Sequence, residues 1–461
     1  MFCASSLWCP LVLTETGWRE NVRIDINPQG GIAGLSPDTA VHTLQDDVMR
    51  VDGALVPAIP NLHSHAHQRA MAGLAERSGG KKDSFWTWRE AMYRMLERLV
   101  PEQLYAIARM LYLEMLEAGY THVAEFQYLH HDPSGNPYSC RAEMTLQCAR
   151  AASDVGIGFT AVPVLYRYAG FGAEPAGPGQ LRFVNDADEF LEIFSAVAAS
   201  LGSNQIVGMA PHSLRAVDAA LLQYVLGAVP AGIPIHLHIA EQIREVDDCV
   251  AWSGMRPVEW LFRHFEPNEH WCLIHATHVT PEEVVQLARS GAVVGLCPTT
   301  EGNLGDGVFP AVDYLARGGR FGIGSDSHIS ISPVEELRWL EYGQRLVRQE
   351  RNCLAPPDGA GGHTGEALLI AAASGGTRAC GYSGGSIASG MRADLISLDT
   401  GHPRLYGRTG GELSDSWVFS GNDCAIKQVF VAGKPVLQEG RHPDRETVIN
   451  QFRKTIDQLV S

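Results

Sequence analysis

The chain has 461 residues, 45% of them hydrophobic and 19% charged, a composition that excludes extensive disorder and at this length suits one large domain with a smaller companion. Its formal net charge of −16 excludes a general nucleic-acid or anionic-membrane surface, since both need clustered Lys and Arg. An anionic ligand must therefore be met by particular arginines against the overall field.

Residues 1–57 read as short strands and turns, over 11–13, 22–26, 32–35 and 48–51, with a turn at Pro28, Gly30 and Gly31. A second β-rich piece returns over 393–399 and 426–436. Residues 1–57 and 389–461 are thus expected to form one small β-sandwich domain from both chain ends. Between them, residues 58–388 alternate short apolar strands with amphipathic helical stretches, the signature of βα units around a parallel sheet. Strands are expected over 55–60, 122–126, 159–165, 206–211, 233–239, 271–276, 292–297 and 321–325. Eight such units predict an α/β fold with a closed (β/α)8 TIM-like barrel as catalytic domain. A doubly wound sheet would carry a Gly-rich phosphate turn after its first strand, and the chain has none there.

The ten cysteines are scattered with no C-x-x-C pair, which fits reduced thiols better than a disulfide framework. No basic region precedes the apolar residues near Met1, and no run approaches the ~20 apolar residues of a membrane span. A cytoplasmic protein is expected.

Active sites of such barrels lie at the C-terminal strand ends, so polar residues there carry information. The first strand ends in His63-Ser64-His65, and because strand side chains alternate, both imidazoles share one face and can grip one ion. The fourth ends in His212-Ser213-Leu214-Arg215, the fifth in His236-Leu237-His238 with Glu241 following, the sixth in His275, and the eighth in Ser325-Asp326-Ser327-His328. Packing alone does not explain His, Glu or Asp at five strand ends. Imidazole and carboxylate suit zinc or ferrous iron, and a hydrolytic site keeps one position open for water. His63, His65, His238 and Asp326 supply such ligands. A second metal would need a bridging carboxylate or modified lysine after the fourth strand, where His212 stands instead, so one divalent ion, zinc first, is expected. Such an ion brings the pKa of water to about 7.

Glu241, three residues after His238, is placed to carry a proton to a leaving nitrogen, against the plainer reading of a solvated charge opening the next helix. His275 is placed to polarise a C=N carbon, against a satisfied core histidine. His236 and His278 fit the core reading most readily, and the roles of His67 and His328 stay open. Gly381-Tyr382-Ser383-Gly384-Gly385 matches G-x-S-x-G by letter but follows no strong strand. The absence of H-E-x-x-H and of P-C-x-x-C removes two other zinc hydrolase classes.

The order H-x-H, H-x-x-E, His and Ser-Asp-Ser, framed by split β segments and a late Arg392-Ala393-Asp394-Leu395 run, resembles the amidohydrolase superfamily in its mononuclear deaminase branch, over nearly the whole chain. Within that branch, residues 63–74, Phe126-Gln127-Tyr128-Leu129-His130-His131-Asp132-Pro133 and Ala210-Pro211-His212-Ser213-Leu214-Arg215 are similar to deiminases of N-formimino-L-glutamate, which yield N-formyl-L-glutamate and ammonia. The resemblance implies His63, His65, His238 and Asp326 as metal ligands, Glu241 and His275 as proton-transfer groups, and Asp326 as a second acceptor of the water's protons. It implies further that Gln68 and His212 hold the formimino end, while Arg89, Tyr128 and Arg215 hold two carboxylates. His67 departs from the pattern, standing where an aromatic such as Phe is expected. Independently of the resemblance, a dianion in an acidic protein calls for local cations, and bidentate Arg is the natural clamp. Arg215 directly follows the fourth strand, and Arg89 lies beside Trp88.

Two other readings compete. A purine deaminase on the same fold would want flat stacking surfaces and neutral amide donors rather than paired arginines. A barrel that has lost catalysis and serves binding or assembly would lack ligands, yet every position is filled. The expected partner is a small-molecule substrate, with no nucleic acid and no membrane, and a homodimer is expected by analogy of fold alone.

Overall fold

Five strands open the chain: β1 (Ser6–Thr14), β2 (Gly17–Ile26), β3 (Ile32–Ser36), β4 (Val48–Arg50) and β5 (Ala54–Pro57). The middle contributes β6 (Ile59–Ser64), β7 (Tyr120–Gln127), β8 (Gly158–Leu165), β9 (Gln205–Val207), β10 (Ala210–Pro211), β11 (Ile235–Ile239), β12 (Trp271–His275), β13 (Val293–Leu296) and β14 (Arg320–Ile323). Three more, β15 (Leu395–Leu398), β16 (Ile426–Val431) and β17 (Lys434–Gln438), come late. The computed structural model describes residues 5–76, 85–356, 362–421 and 425–460.

The terminal strands form one eight-stranded hydrogen-bonded sheet in the order β17-β16-β15-β5-β1-β2-β3, with β4 on β1. Its joint is the antiparallel β5–β15 pair, from Ala54 opposite Leu398 to Pro57 opposite Leu395, which ties the two chain ends together. Strand pairing therefore runs continuously from β17 to β3. The sheet has its own apolar cluster, including Leu7, Val12, Ile24, Leu55, Leu395 and Phe430, all buried. The strand expected over 55–60 is also divided. Ala54–Pro57 belongs to the terminal sheet and Ile59–Ser64 to the middle, with the Ala58 amide donating to Asp394 O (3.1 Å) at the handover. Residues 54–64 are buried at every position, so the apolar run has no periodicity to mark the break.

The middle strands form two parallel sheets, β10-β8-β7-β6 with β9 on β8, and β11-β12-β13-β14. Isolated bridges join them at both flanks. On one, the Asp326 amide donates to His63 O (3.0 Å) and the His65 amide to Asp326 O (3.3 Å). On the other, the His236 amide donates to Met209 O (2.9 Å) and the His238 amide to His212 O (3.2 Å). The result is an α/β fold of mixed sheets in which β6, β10, β11 and β14 bring their C-terminal ends together.

Helices cover the outer faces. The Thr364–Cys380 helix lies so close to β14 and β6 that a Cβ on Gly375 would stand 1.9 Å from Phe321 O, and one on Gly376 would stand 2.6 Å from Pro60 Cγ. Paired glycines permit that approach. The Gly411–Phe419 and Arg445–Val460 helices pack on Thr364–Cys380 and Pro101–Ala118 respectively. Among the described residues no helix is long and apolar enough to cross a membrane, and the eight described cysteines are free thiols.

Candidate metal centre and active site

The alternation expected of His63-Ser64-His65 occurs at the end of β6. Nε2 of His63 lies 3.0 Å from Nε2 of His238, and Asp326 Oδ1 lies 3.4 Å from His63 Nε2 and 3.3 Å from His65 Nε2. The four donor atoms all fall within 4.8 Å of one another, in buried side chains. Two rings are aimed by their far nitrogens: His65 Nδ1 donates to Phe126 O (2.9 Å) and His238 Nδ1 to His212 O (2.9 Å). Each bond places the proton on Nδ1 and leaves the Nε2 lone pair facing the cluster. Burial lowers the pKa of all three imidazoles, and for His63 and His238 the neighbouring histidines add to the effect. Neutral imidazoles converging with a carboxylate fit a divalent cation, which would satisfy all four donors. An overlapping set, His275, Cys297 and Asp326, shares the carboxylate.

A buried polar network beneath these ligands holds β6 against β14. Asn61 Nδ2 donates to Ser325 Oγ (2.6 Å), and its Oδ1 accepts from the Ser325 amide (3.1 Å) and the His63 amide (3.3 Å). Glu125 on β7 accepts from Ser64 Oγ (2.6 Å), the Ala66 amide (2.6 Å) and Tyr112 Oη (2.9 Å). Burial pushes its carboxyl up to about 7 despite those three donors. His328, left open by the sequence, sits in this network between Ser325 Oγ (2.9 Å) and Ser64 Oγ (3.2 Å).

A cavity adjoins the donor set. Gln68, Arg89, Tyr128, His212 and Arg215 all line it, as do Glu241, His275 and Asp326. Among the described residues, two of these carry a sealed atom with no hydrogen-bond partner, the acceptor Gln68 Oε1 and the cationic donor Arg215 Nη1. Unpaired buried polar atoms are costly, so both mark where a ligand's polar groups belong. Tyr128 Oη is fixed by His67 Nε2 (2.7 Å) and Gln68 Nε2 (3.1 Å). His67 therefore faces Tyr128 and stands outside the donor set. Burial, with the Arg215 charge next in weight, holds His212 well below the usual imidazole range.

His275 Nε2 lies 3.8 Å from Glu241 Oε1 and 4.0 Å from Asp326 Oδ2. Burial raises Glu241 to about 7. Burial alone would lower His275, but the Glu241, Glu301 and Asp326 carboxylates outweigh it and hold the ring at about 10. The same strand ends carry positive φ at non-glycine residues, including Ala240 (50°), His275 (68°) and Asp326 (42°). Backbone of this kind costs energy and persists where the surroundings over-determine it, as at a site that aims side chains.

Two further histidines lie away from the donor set. His236 Nε2 bonds Ala379 O (2.9 Å), and His278, with its carbonyl on Arg256 (2.6 Å), does not line the cavity. The sequence reading did not single out Tyr93, Tyr166 and Phe183, which line the cavity, or Glu245, which accepts from the Ala240 and Glu241 amides (3.1 and 3.0 Å). A glutamate spaced as in Glu241-x-x-x-Glu245 at a helix start was the one available signal.

The amidohydrolase family model matches residues 54–436. Among curated proteins, the chain is 50% identical to a formimidoylglutamate deiminase of Pseudomonas aeruginosa, over 99% of this chain and 100% of that protein. It is 26% identical to a 5-methylthioadenosine/S-adenosylhomocysteine deaminase of Natronomonas pharaonis, over 90% of this chain and 89% of that one. Among solved structures, an amidohydrolase from Brucella melitensis matches with a TM-score of 0.93 at 44% identity, covering 99% of this chain and 100% of that one. An adenosine deaminase from Xanthomonas campestris with bound zinc matches in fold, with a TM-score of 0.81 at 21% identity and 99% coverage of each chain. With a family match running from Ala54 to Val436 and a relative half identical along its whole length, the chain belongs to the amidohydrolase family.

Proposed function

We propose that this chain is a metal-dependent hydrolase that converts N-formimino-L-glutamate and water to N-formyl-L-glutamate and ammonia. The observation that carries the substrate is the Nη1 of Arg215, unpartnered among the described residues, in the cavity that also meets the His/Asp donor set, because a dianion with an amidine at one end needs both. The half-identical relative named formimidoylglutamate deiminase supports the same choice.

His63, His65, His238 and Asp326 are the residues to hold the ion, and zinc is our choice from the imidazole-carboxylate donor set and the zinc bound in a structural relative. When bound, the ion supplies Lewis acidity that makes water a competent nucleophile near neutral pH. Arg215 and Arg89, with Tyr128, hold the two carboxylates, and Gln68 and His212 hold the formimino end. Glu241 takes a proton from the attacking water and delivers it to the amidine nitrogen that leaves. His275 Nε2 faces the same space and stabilises charge developing at the formimino centre. Asp326 takes the remaining proton of the water as the carbonyl forms and the C–N bond breaks, releasing ammonia.

We also read the two parallel sheets as halves of one (β/α)8 barrel over 58–388, supported by the backbone bonds across both flanks. The self-contained apolar cluster of the terminal sheet supports a small β-sandwich domain built from 1–57 and 389–461. Free cysteines suit a cytoplasmic location, and a homodimer rests on fold analogy. Ammonia release from N-formimino-L-glutamate by zinc-loaded protein, beside guanine and adenosine at equal concentration, tests the function. Release from the first alone is expected, and release from a purine instead overturns the carboxylate pocket.

A further inference from the structure

We infer that Glu301 is a positioning residue for the reaction: its carboxylate holds the Nδ1 proton of His275 and so presents Nε2 to the reacting space. Glu301 lies in the short Pro298–Leu304 helix after β13 and is 5% exposed. Its Oε1 accepts from His275 Nδ1 at 3.2 Å and from the Cys297 amide at 2.9 Å. The second bond is a capping contact at the helix start and explains a structural use of the side chain. The first is not explained by capping, because His275 belongs to a different strand, β12, whose end is held at positive φ.

The geometry leaves His275 one orientation. With Nδ1 on Glu301, Nε2 faces Glu241 (3.8 Å) and Asp326 (4.0 Å), the two carboxylates assigned to proton transfer. Rotating the ring by half a turn would give up the charge-assisted bond to Glu301, and a carboxylate partner is the strongest acceptor for fixing which nitrogen carries the proton. Arg256 pairs with Glu283 (2.9 Å), and the side chain that meets the Glu301 carboxylate is that of His275. The inference rests on the proposed reaction only in taking His275 as a group that faces the reacting centre.

The test is a cycle of E301Q, H275Q and the double variant, each purified with its metal content and melting temperature measured. Gln keeps an oxygen for the Cys297 amide and removes the charge. Expected is a kcat about 10- to 100-fold lower in E301Q, with KM within about twofold, metal content and melting unchanged, and no further loss when E301Q is added to H275Q. An unchanged kcat, a loss carried by KM or metal content, or the same loss in the H275Q background overturns the inference. A second readout needs no Glu301 variant: the ¹⁵N signals of His275, identified by their absence in H275Q, should show a protonated Nδ1, and a bare Nδ1 overturns it. Rates are read on whichever substrate the wild-type protein deaminates. A failure of N-formimino-L-glutamate as substrate is therefore seen in the wild type and leaves this test standing.

Discussion

Replacing Arg215 by Met removes a guanidinium whose Nη1 has no partner among the described residues, while keeping most of the apolar stem that lines the cavity. A carboxylate that reaches this nitrogen gains a charge-assisted bond, and losing one such bond in a partly closed site costs roughly 2–4 kcal/mol. At 1.4 kcal/mol per tenfold, that is about 30- to 1000-fold in kcat/KM. The lower half of the range is favoured, because Arg215 is half-buried and water entering the cavity partly replaces the lost partner. Since the guanidinium touches no atom that reacts, KM should carry most of the change. The assay is ammonia release from N-formimino-L-glutamate beside the analogue with its side-chain carboxylate as an amide and the one with its α-carboxylate as an amide. One amide should be nearly indifferent to R215M while the diacid suffers the full loss. Equal losses on all three would refute the clamp and return Arg215 to a purely structural role.

Four further outcomes are expected. Glu241→Gln should keep its metal and lose about 10²- to 10⁴-fold in kcat, as measured by metal analysis beside ammonia release, and normal turnover would remove Glu241 from proton transfer. Glu241 acts as its carboxylate, so kcat/KM should fall as acidification passes its pKa, at about 7 or below it once a nearby cation favours the charged form; a rate that rises on acidification refutes this assignment. His67→Phe should leave metal content unchanged and raise KM several-fold, since His67 Nε2 fixes Tyr128 Oη rather than the donor set; loss of metal would restore His67 as a ligand. Chelation should abolish turnover and lower the melting temperature, with zinc restoring both, because a ligand at 1,000 times its Kd stabilises the folded state by about 4 kcal/mol.

The residues of the donor set were legible because two local rules acted on them. Alternation along a strand put His63 and His65 on one face, and strand-end placement singled out His238, His275 and Asp326. The parallel strands were legible as continuous apolar runs, since β7 and β8 are buried at every position. That same uniformity hid the division between β5 and β6, because a run buried on all sides carries no period to place a boundary. The β-rich character of both chain ends was legible, but their strand order was not, since it depends on β5 meeting β15 across more than 300 residues of chain.

The supporting groups were decided by tertiary structure alone. Glu125 reads in sequence as one more polar residue within a strand, and only the packing of β7 against β6 sets it under Ser64 and Ala66. The role of His67 stayed open in the sequence, and the turn after β6 aims it at Tyr128. Glu301 and His275 are 26 residues apart and meet because β12 and β13 pair in parallel, which brings the helix after one strand over the end of the other. Local spacing thus determined the kinds of donor and their common face, through rules that need only the neighbouring residues. Which side chains hold those donors in place was set by contacts between strands distant in the chain, through register and burial that no local pattern encodes.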